Sequence, residues 1–354
     1  MFYFLILVVL IALALGHRES KPIFYILYSL LFIISVGTQG GYDISNYEIA
    51  FDSPLAASDS EDRSFVFDSY MIFLKGLGFT FQQLRIINFA LWSIPIFAII
   101  IRYCKYPSYV LALCFLFPIL SFSSQMRNGV AMSFLFWGIY LYIYKRNSII
   151  GKICYLLGLS LACIIHSMTF VYIAGVIAFS KRISTGLLFR ISSIIALVFA
   201  FFISTGFLYD IVALIFSEYY ANFYFSNVEP FVFGNINVFI GIVINIWFLF
   251  QAERVEKRFM EEDNGLRWEL TNFILRLNIL LLAISPLMLI SLSFYRIYQN
   301  IFFFSVICVA NASAHNYLRS KSLSNIYILF FYIVTFFYIY SQGTFLEGWD
   351  GISL

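Results

Sequence analysis

Four ionisable side chains stand where an apolar chain tolerates them only with help. Arg127 opens an apolar run in SQMRNGVA, His166 lies inside another in ACIIHSMTF, Arg296 sits in SLSFYRIYQN, and Asp43 follows the second apolar run in GGYDISNY. An ionised group at such depth costs about 2.5–3.5 kcal/mol on insertion scales, so each requires a partner or a water-filled cavity. A guanidinium keeps its charge at any working pH and offers a planar fork of donors that matches phosphate oxygens. Arg127 and Arg296 together can therefore hold a diphosphate and stabilise its charge as it departs. An imidazole can either accept a proton from a hydroxyl or donate a hydrogen bond to a phosphate, so His166 is a candidate for either role. Asp43, with Tyr42, Asn46 and Tyr47 around it, is a second candidate base in a group able to hydrogen-bond sugar hydroxyls. Asn128 and Tyr295, each beside one of the arginines, complete the candidate binding set. The bland readings are a snorkelling arginine, a hydrogen-bonded core histidine, and a solvated acidic loop that also carries Asp52, Asp59, Glu61, Asp62 and Asp68.

The elements that must position these residues are membrane spans. Of 354 residues, 62% are hydrophobic and only 12% charged, with a mean hydropathy of +0.88, a composition no soluble domain shows. Apolar runs lie near 3–16, 22–37, 84–101, 108–122, 128–144, 153–166, 167–180, 190–208, 234–250, 271–292, 297–313 and 323–341. About twelve transmembrane segments follow, in one all-α, polytopic integral-membrane domain over 1–354. The N-terminal run lacks a basic flank and reads as the first span, not as a cleaved signal.

Alternate connections differ in charge. One set carries Arg18/Lys21, Arg102/Lys105, Lys145/Arg146/Lys152, Lys181/Arg182/Arg190, Arg254/Lys257/Arg258/Arg267 and Arg319/Lys321; the other carries only Arg63, Lys75, Arg85, Arg127 and Arg296. Basic short loops mark the cytoplasmic side, so the first set faces in and both termini face out. On this topology Arg127, His166, Arg296 and Asp43 share the outer side. The stretch 153–180 reads as two short half-helices meeting at His166, because only then do Lys152 and Lys181 lie on one side. A break at that depth is tolerated where it lines protein or a polar cavity.

Outward loops are expected over about 38–83 and 209–233. Within the first, 65–80 suits a helix lying in the interface. The Tyr- and Phe-rich stretch 209–236 reads as an aromatic belt, with stacking on sugar rings as the functional alternative. Five scattered cysteines and three scattered histidines indicate neither a disulfide framework nor a metal site, and no cofactor is implied. Scattered basic residues and a net charge of +3 argue against nucleic acid. The sequence has no P-loop, dinucleotide fingerprint or nucleophile elbow.

In GGYDISNY, in the arginine-led MRNGVAMSFLF, in GKICYLLGLSLACIIHSMTFVYI with its His-Ser break, and in FYRIYQN, the chain resembles the EpsG-like branch of the Wzy polysaccharide polymerases. Asn128 stands where glutamine would more often be expected in that branch. The resemblance implies a GT-C-like membrane glycosyltransferase, metal-independent and inverting. Such an enzyme joins undecaprenyl-diphosphate-linked repeat units into O-antigen, capsule or exopolysaccharide on the outer face of the inner membrane. Carried onto this sequence, it gives Arg127 and Arg296 the diphosphate, and His166 or Asp43 the acceptor hydroxyl. It also implies a lipid-linked donor and acceptor, a flippase and a chain-length regulator as partners. Two rivals share parts of this pattern. A lipid-linked oligosaccharide flippase would place its charges in a central cavity open to both sides, and a membrane O-acyltransferase would centre a histidine site on the inner face.

Overall fold

The computed structural model describes residues 2–38, 42–53, 65–145, 148–215, 233–261, 265–289, 292–315, 325–330 and 333. Among these every regular element is helical. By contact the chain divides into two compact units, 1–170 with 309–354, and 171–308.

The first unit contains α1 (Phe2–Gly16), α2 (Lys21–Gly37), α3 (Tyr42–Asp52), α4 (Phe65–Gly76), α5 (Phe81–Tyr103), α6 (Pro107–Cys114), α7 (Ser121–Ser124), α8 (Met126–Tyr144) and α9 (Ile149–Ile165). Local chemistry sets several of these boundaries. Ser20 caps α2 ahead of Pro22, Thr80 and Gln83 form a reciprocal capping box that starts α5, and Ser148 caps α9 through the Gly151 amide. The core lies between α5, α8 and α9, with Trp92, Phe122, Phe136 and Tyr155 buried.

Side-chain clamps hold both ends of this bundle. At one end Asn311 donates to the Tyr103 carbonyl at 2.7 Å and accepts from the Lys105 amide at 2.9 Å. There too Ser108 reaches the His17 and Arg18 carbonyls. At the other end Gln82 donates to the Val36 carbonyl at 3.0 Å and Arg85 to the Ser35 carbonyl at 2.7 Å. These two side chains satisfy last-turn carbonyls of α2 that have no partner within the helix.

Three sequence expectations need correction here. The acidic stretch after α2 is not simply a loop. It contains α3, whose Ile44, Tyr47 and Phe51 recur at helical spacing and pack inward, while Lys75 of α4 donates to the Phe51 and Asp52 carbonyls at its end. The apolar run 108–122 is not one helix. It bends by 79° between α6 and α7, where Phe117 is extended and Pro118 can donate no backbone hydrogen bond. The first half-helix before His166 starts at Ile149 and has 17 residues, longer than expected because Ser148 caps it early. Among the described residues, α5 and Thr185–Ser204 are long and apolar enough to cross a membrane, and the bent pair, counted as one span, raises the number to three. The expected last span lies mostly outside the described residues.

The second unit contains α10 (Ala174–Ala178), α11 (Thr185–Ser204), α12 (Phe207–Ile215), α13 (Phe233–Arg258), α14 (Leu266–Leu282) and most of α15 (Arg296–Ser313). Its core carries polar glue. Asn245 of α13 donates towards Asn278 of α14 and Ser305 of α15 at 3.4 and 3.2 Å, contacts that tie helices where water is excluded. The buried guanidinium of Arg276 donates through Nε, Nη1 and Nη2 to the carbonyls of Ala178, Ile183 and Ser180. It thereby fixes the turn between α10 and α11. Arg276→Met is expected to leave these carbonyls without that donor and to cost on the order of 3 kcal/mol. The measurement is thermal unfolding of purified protein in detergent, and an unchanged transition would remove this role. On α11 the exposed Ile194, Leu197 and Phe201 form a surface suited to lipid.

Candidate functional site

At the end of the first unit where α2 finishes and α5 and α8 begin, polar side chains gather. Tyr70 of α4 donates to Asn88 Oδ1 at 2.9 Å, and burial pushes the Tyr70 phenol up to about 12, so it stays a neutral donor. The amide of Asn88 points on to the Met126 sulfur, at 3.6 Å. Arg127 follows Met126 in the first turn of α8, a helix that starts at Gln125 with no side-chain cap. Such an end presents amide donors and the positive pole of the helix, a setting suited to an anion. The Arg127 amide faces the Tyr47 hydroxyl at 3.4 Å, and Asp43 lies one turn before Tyr47 on α3, on the same helix face. Asn128 is buried and donates to Gln125 Oε1 at 3.0 Å. The Tyr42 side chain is outside the described residues.

The α8–α9 hairpin brings His166 to this end. Its two helices meet along glycines: a Cβ on Gly138 would stand 3.1 Å from Tyr155 Cα, and one on Gly151 would stand 3.1 Å from the Tyr142 oxygen. At Gly158 a Cβ would collide with the Phe134 carbonyl. These contacts define one antiparallel register. Carried to the end of α9, that register sets His166 level with Arg127.

His166 caps α9 in extended conformation, its amide bonded to the Ala162 carbonyl. Its own carbonyl accepts from the Thr169 hydroxyl at 2.7 Å and from the Thr169 amide at 3.0 Å, which starts the 3₁₀ turn Ser167–Ile173. The break is thus built by backbone bonds and is no fraying of a longer helix.

Arg296 and Tyr295 belong to the second unit. Tyr295 ends a 3₁₀ turn, Arg296 begins α15 half-buried, and the Tyr172 hydroxyl donates to the Ile297 carbonyl at 2.6 Å. Tyr172 lies six residues beyond His166 in sequence. The start of α15 is therefore anchored to the first residues of the second unit. The aromatic stretch expected to stack on sugar lies mostly outside the described residues.

A family model described as the EpsG family matches residues 21–349, nearly the whole chain. The chain belongs to the EpsG family. EpsG proteins are Wzy-like polysaccharide polymerases, so this is a membrane protein of polymerase type. No curated protein and no solved structure matches the chain.

In this EpsG chain the sparser of the two sets of basic residues holds a member to which the sequence alone assigns no role. Arg85 is 6% exposed and lines a narrow pocket with Ser35, Asn88, Phe122, Ser123 and Met126. The signal was present in FQQLRIINFALW. Arg85 and Asn88 lie three residues apart, hence on one face of the helix, in the first turns of a long apolar span.

Proposed function

We propose that this EpsG protein transfers a growing glycan from undecaprenyl diphosphate onto a new lipid-linked repeat unit, at the outer face of a plasma membrane crossed about twelve times. The observation that carries the reading is the shared level of Arg127 and His166 at one end of the α8–α9 hairpin, in a chain of a polymerase family. Arg127 binds the donor diphosphate, and Arg296 is a separate anion-binding arginine of the second unit. His166, or Asp43 one turn from Tyr47, accepts the proton of the acceptor hydroxyl as its oxygen attacks the anomeric carbon. The bond to the diphosphate oxygen breaks, and the leaving group departs with the electron pair and is held by guanidinium charge. A single displacement inverts the anomeric centre. Charge stabilisation by arginines makes a metal ion unnecessary. Tyr42, Tyr47 and Asn128 border the sugars.

The test separates the two roles of the imidazole. His166→Ala is expected to stop chain lengthening, so that cells display single repeat units on a glycan gel. If His166 takes the proton, His166→Asn is equally inactive and Asp43→Asn is mild. If Asp43 takes it, His166→Asn keeps a donor to phosphate and retains part of the ladder. Long chains in a well-expressed His166→Ala strain would remove His166 from the site.

A further inference from the structure

The pocket beneath Arg85 carries an unmet demand. Arg85 and Ser35 are 6% and 3% exposed, and Arg85 Nε and Ser35 Oγ are buried with no hydrogen-bond partner. One guanidinium nitrogen, Nη2, is engaged by the Ser35 carbonyl at 2.7 Å. A neutral carbonyl satisfies a donor but leaves the charge uncompensated, and an uncompensated buried charge is costly. Glu48 of α3 interacts with Arg85 electrostatically, but its side chain is exposed, where solvent screens it. The pocket is walled by Trp92 and Phe122 and has room for about one water-sized group. Ser123 and Asn88 add polar atoms to its lining, and Met126 places Arg127 next in sequence.

We infer that this pocket is an oxyanion notch: it receives one phosphoryl oxygen of a diphosphate, with Arg85 Nε and Ser35 Oγ as donors. A water molecule would fill the same volume, but it would not neutralise the guanidinium. An anionic oxygen does both. The notch opens in the second turn of α5, near the positive pole of that helix, which adds to the attraction. Its small volume admits an oxygen and excludes a whole diphosphate, so the rest of the group lies outside it, on the side where α8 begins. Arg85 then serves as a binding residue additional to Arg127. The identity of the ligand rests on the polymerase reading above; the presence of the notch does not.

Full-length protein in lipid nanodiscs is titrated with undecaprenyl diphosphate and, separately, with inorganic pyrophosphate. The variants are Arg85→Gln, Arg85→Lys, Ser35→Ala and Arg127→Ala. Ser35→Ala removes a hydroxyl that bonds nothing, so it keeps its fold and carries the test should Arg85→Gln be unstable. Arg85→Gln is expected to weaken binding at least about tenfold and Ser35→Ala about threefold, with Arg85→Lys intermediate because an ammonium restores charge without the Nε geometry. Losses for both ligands assign the notch to the diphosphate itself; a loss for the lipid alone assigns it to a headgroup held in place by its chain. Unchanged binding in Ser35→Ala and Arg85→Lys, beside a clear loss in Arg127→Ala, would overturn the inference and leave a structural water in the pocket. The polymerase reading fails differently, by long chains persisting in Arg127→Ala and His166→Ala cells, whatever the notch binds.

Discussion

Arg127→Ala is expected to reduce chain lengthening by about 10²–10³-fold, the usual effect of removing one donor aimed at developing anionic charge in a water-poor site. Cells carrying it should display single repeat units in place of a ladder, at normal protein level. The expectation follows from where the side chain stands. Arg127 is half-buried in the first turn of a helix whose N-terminus has no side-chain cap, so guanidinium charge and helix dipole act on the same space. Arg127→Lys should recover part of the rate, since charge returns without the fork that matches two oxygens. A glycan gel and a membrane immunoblot, run together, separate lost chemistry from lost protein. If well-expressed Arg127→Ala cells make full-length chains, the arginine is an interfacial anchor and the assigned site is wrong.

The second large effect belongs to a residue without a side chain. Gly158→Ala is expected to destabilise the protein by about 1–3 kcal/mol, as overpacking of a close contact generally does. The added carbon would meet the Phe134 carbonyl, which is backbone and cannot rotate away. Gly158→Leu would force α8 and α9 apart altogether. Because the hairpin register sets His166 level with Arg127, activity should fall further than protein level does. Gly16→Ala and Gly186→Ala make the proper controls, since a Cβ at either meets nothing within 4 Å. The readouts are thermal unfolding of detergent-solubilised protein and the glycan ladder. Equal stability of Gly158→Ala and the two controls would dismiss the close packing of the hairpin as a determinant of the site.

A good part of this was legible in the residues. Composition alone demanded a membrane protein, because a chain so apolar has no soluble solution. The motifs around Asp43, Arg127, His166 and Arg296 led to the EpsG family, which the family match then established. The break at His166 was visible as a conflict between charge on the flanking loops and the length of the run between them. Other features were hidden for physical reasons. The helix α3 was obscured by its acids, although Ile44, Tyr47 and Phe51 kept helical spacing beneath them. The bend at Phe117 and Pro118 fell inside an unbroken apolar run, where hydropathy carries no angular information.

The same division runs through Arg127, His166, Arg296 and Asp43. Sequence by itself determined that all four were costly in lipid, and its charge pattern led to the expectation that they share one side. That much is local chemistry plus charge counting. Tertiary structure decided which of them share a framework. Glycine contacts in the α8–α9 hairpin put His166 at the level of Arg127, Tyr47 brings the α3 helix of Asp43 to the Arg127 backbone, and Arg296 begins a helix in the second unit. It also decided the character of Arg85. In sequence this was one basic residue among five in sparse connections. In the fold it is buried, with one nitrogen spent on a carbonyl, another without a partner, and the residue on the lining of a pocket. Burial and hydrogen-bond satisfaction depend on neighbours distant in the chain, here Ser35 and Phe122, and no local pattern encodes them.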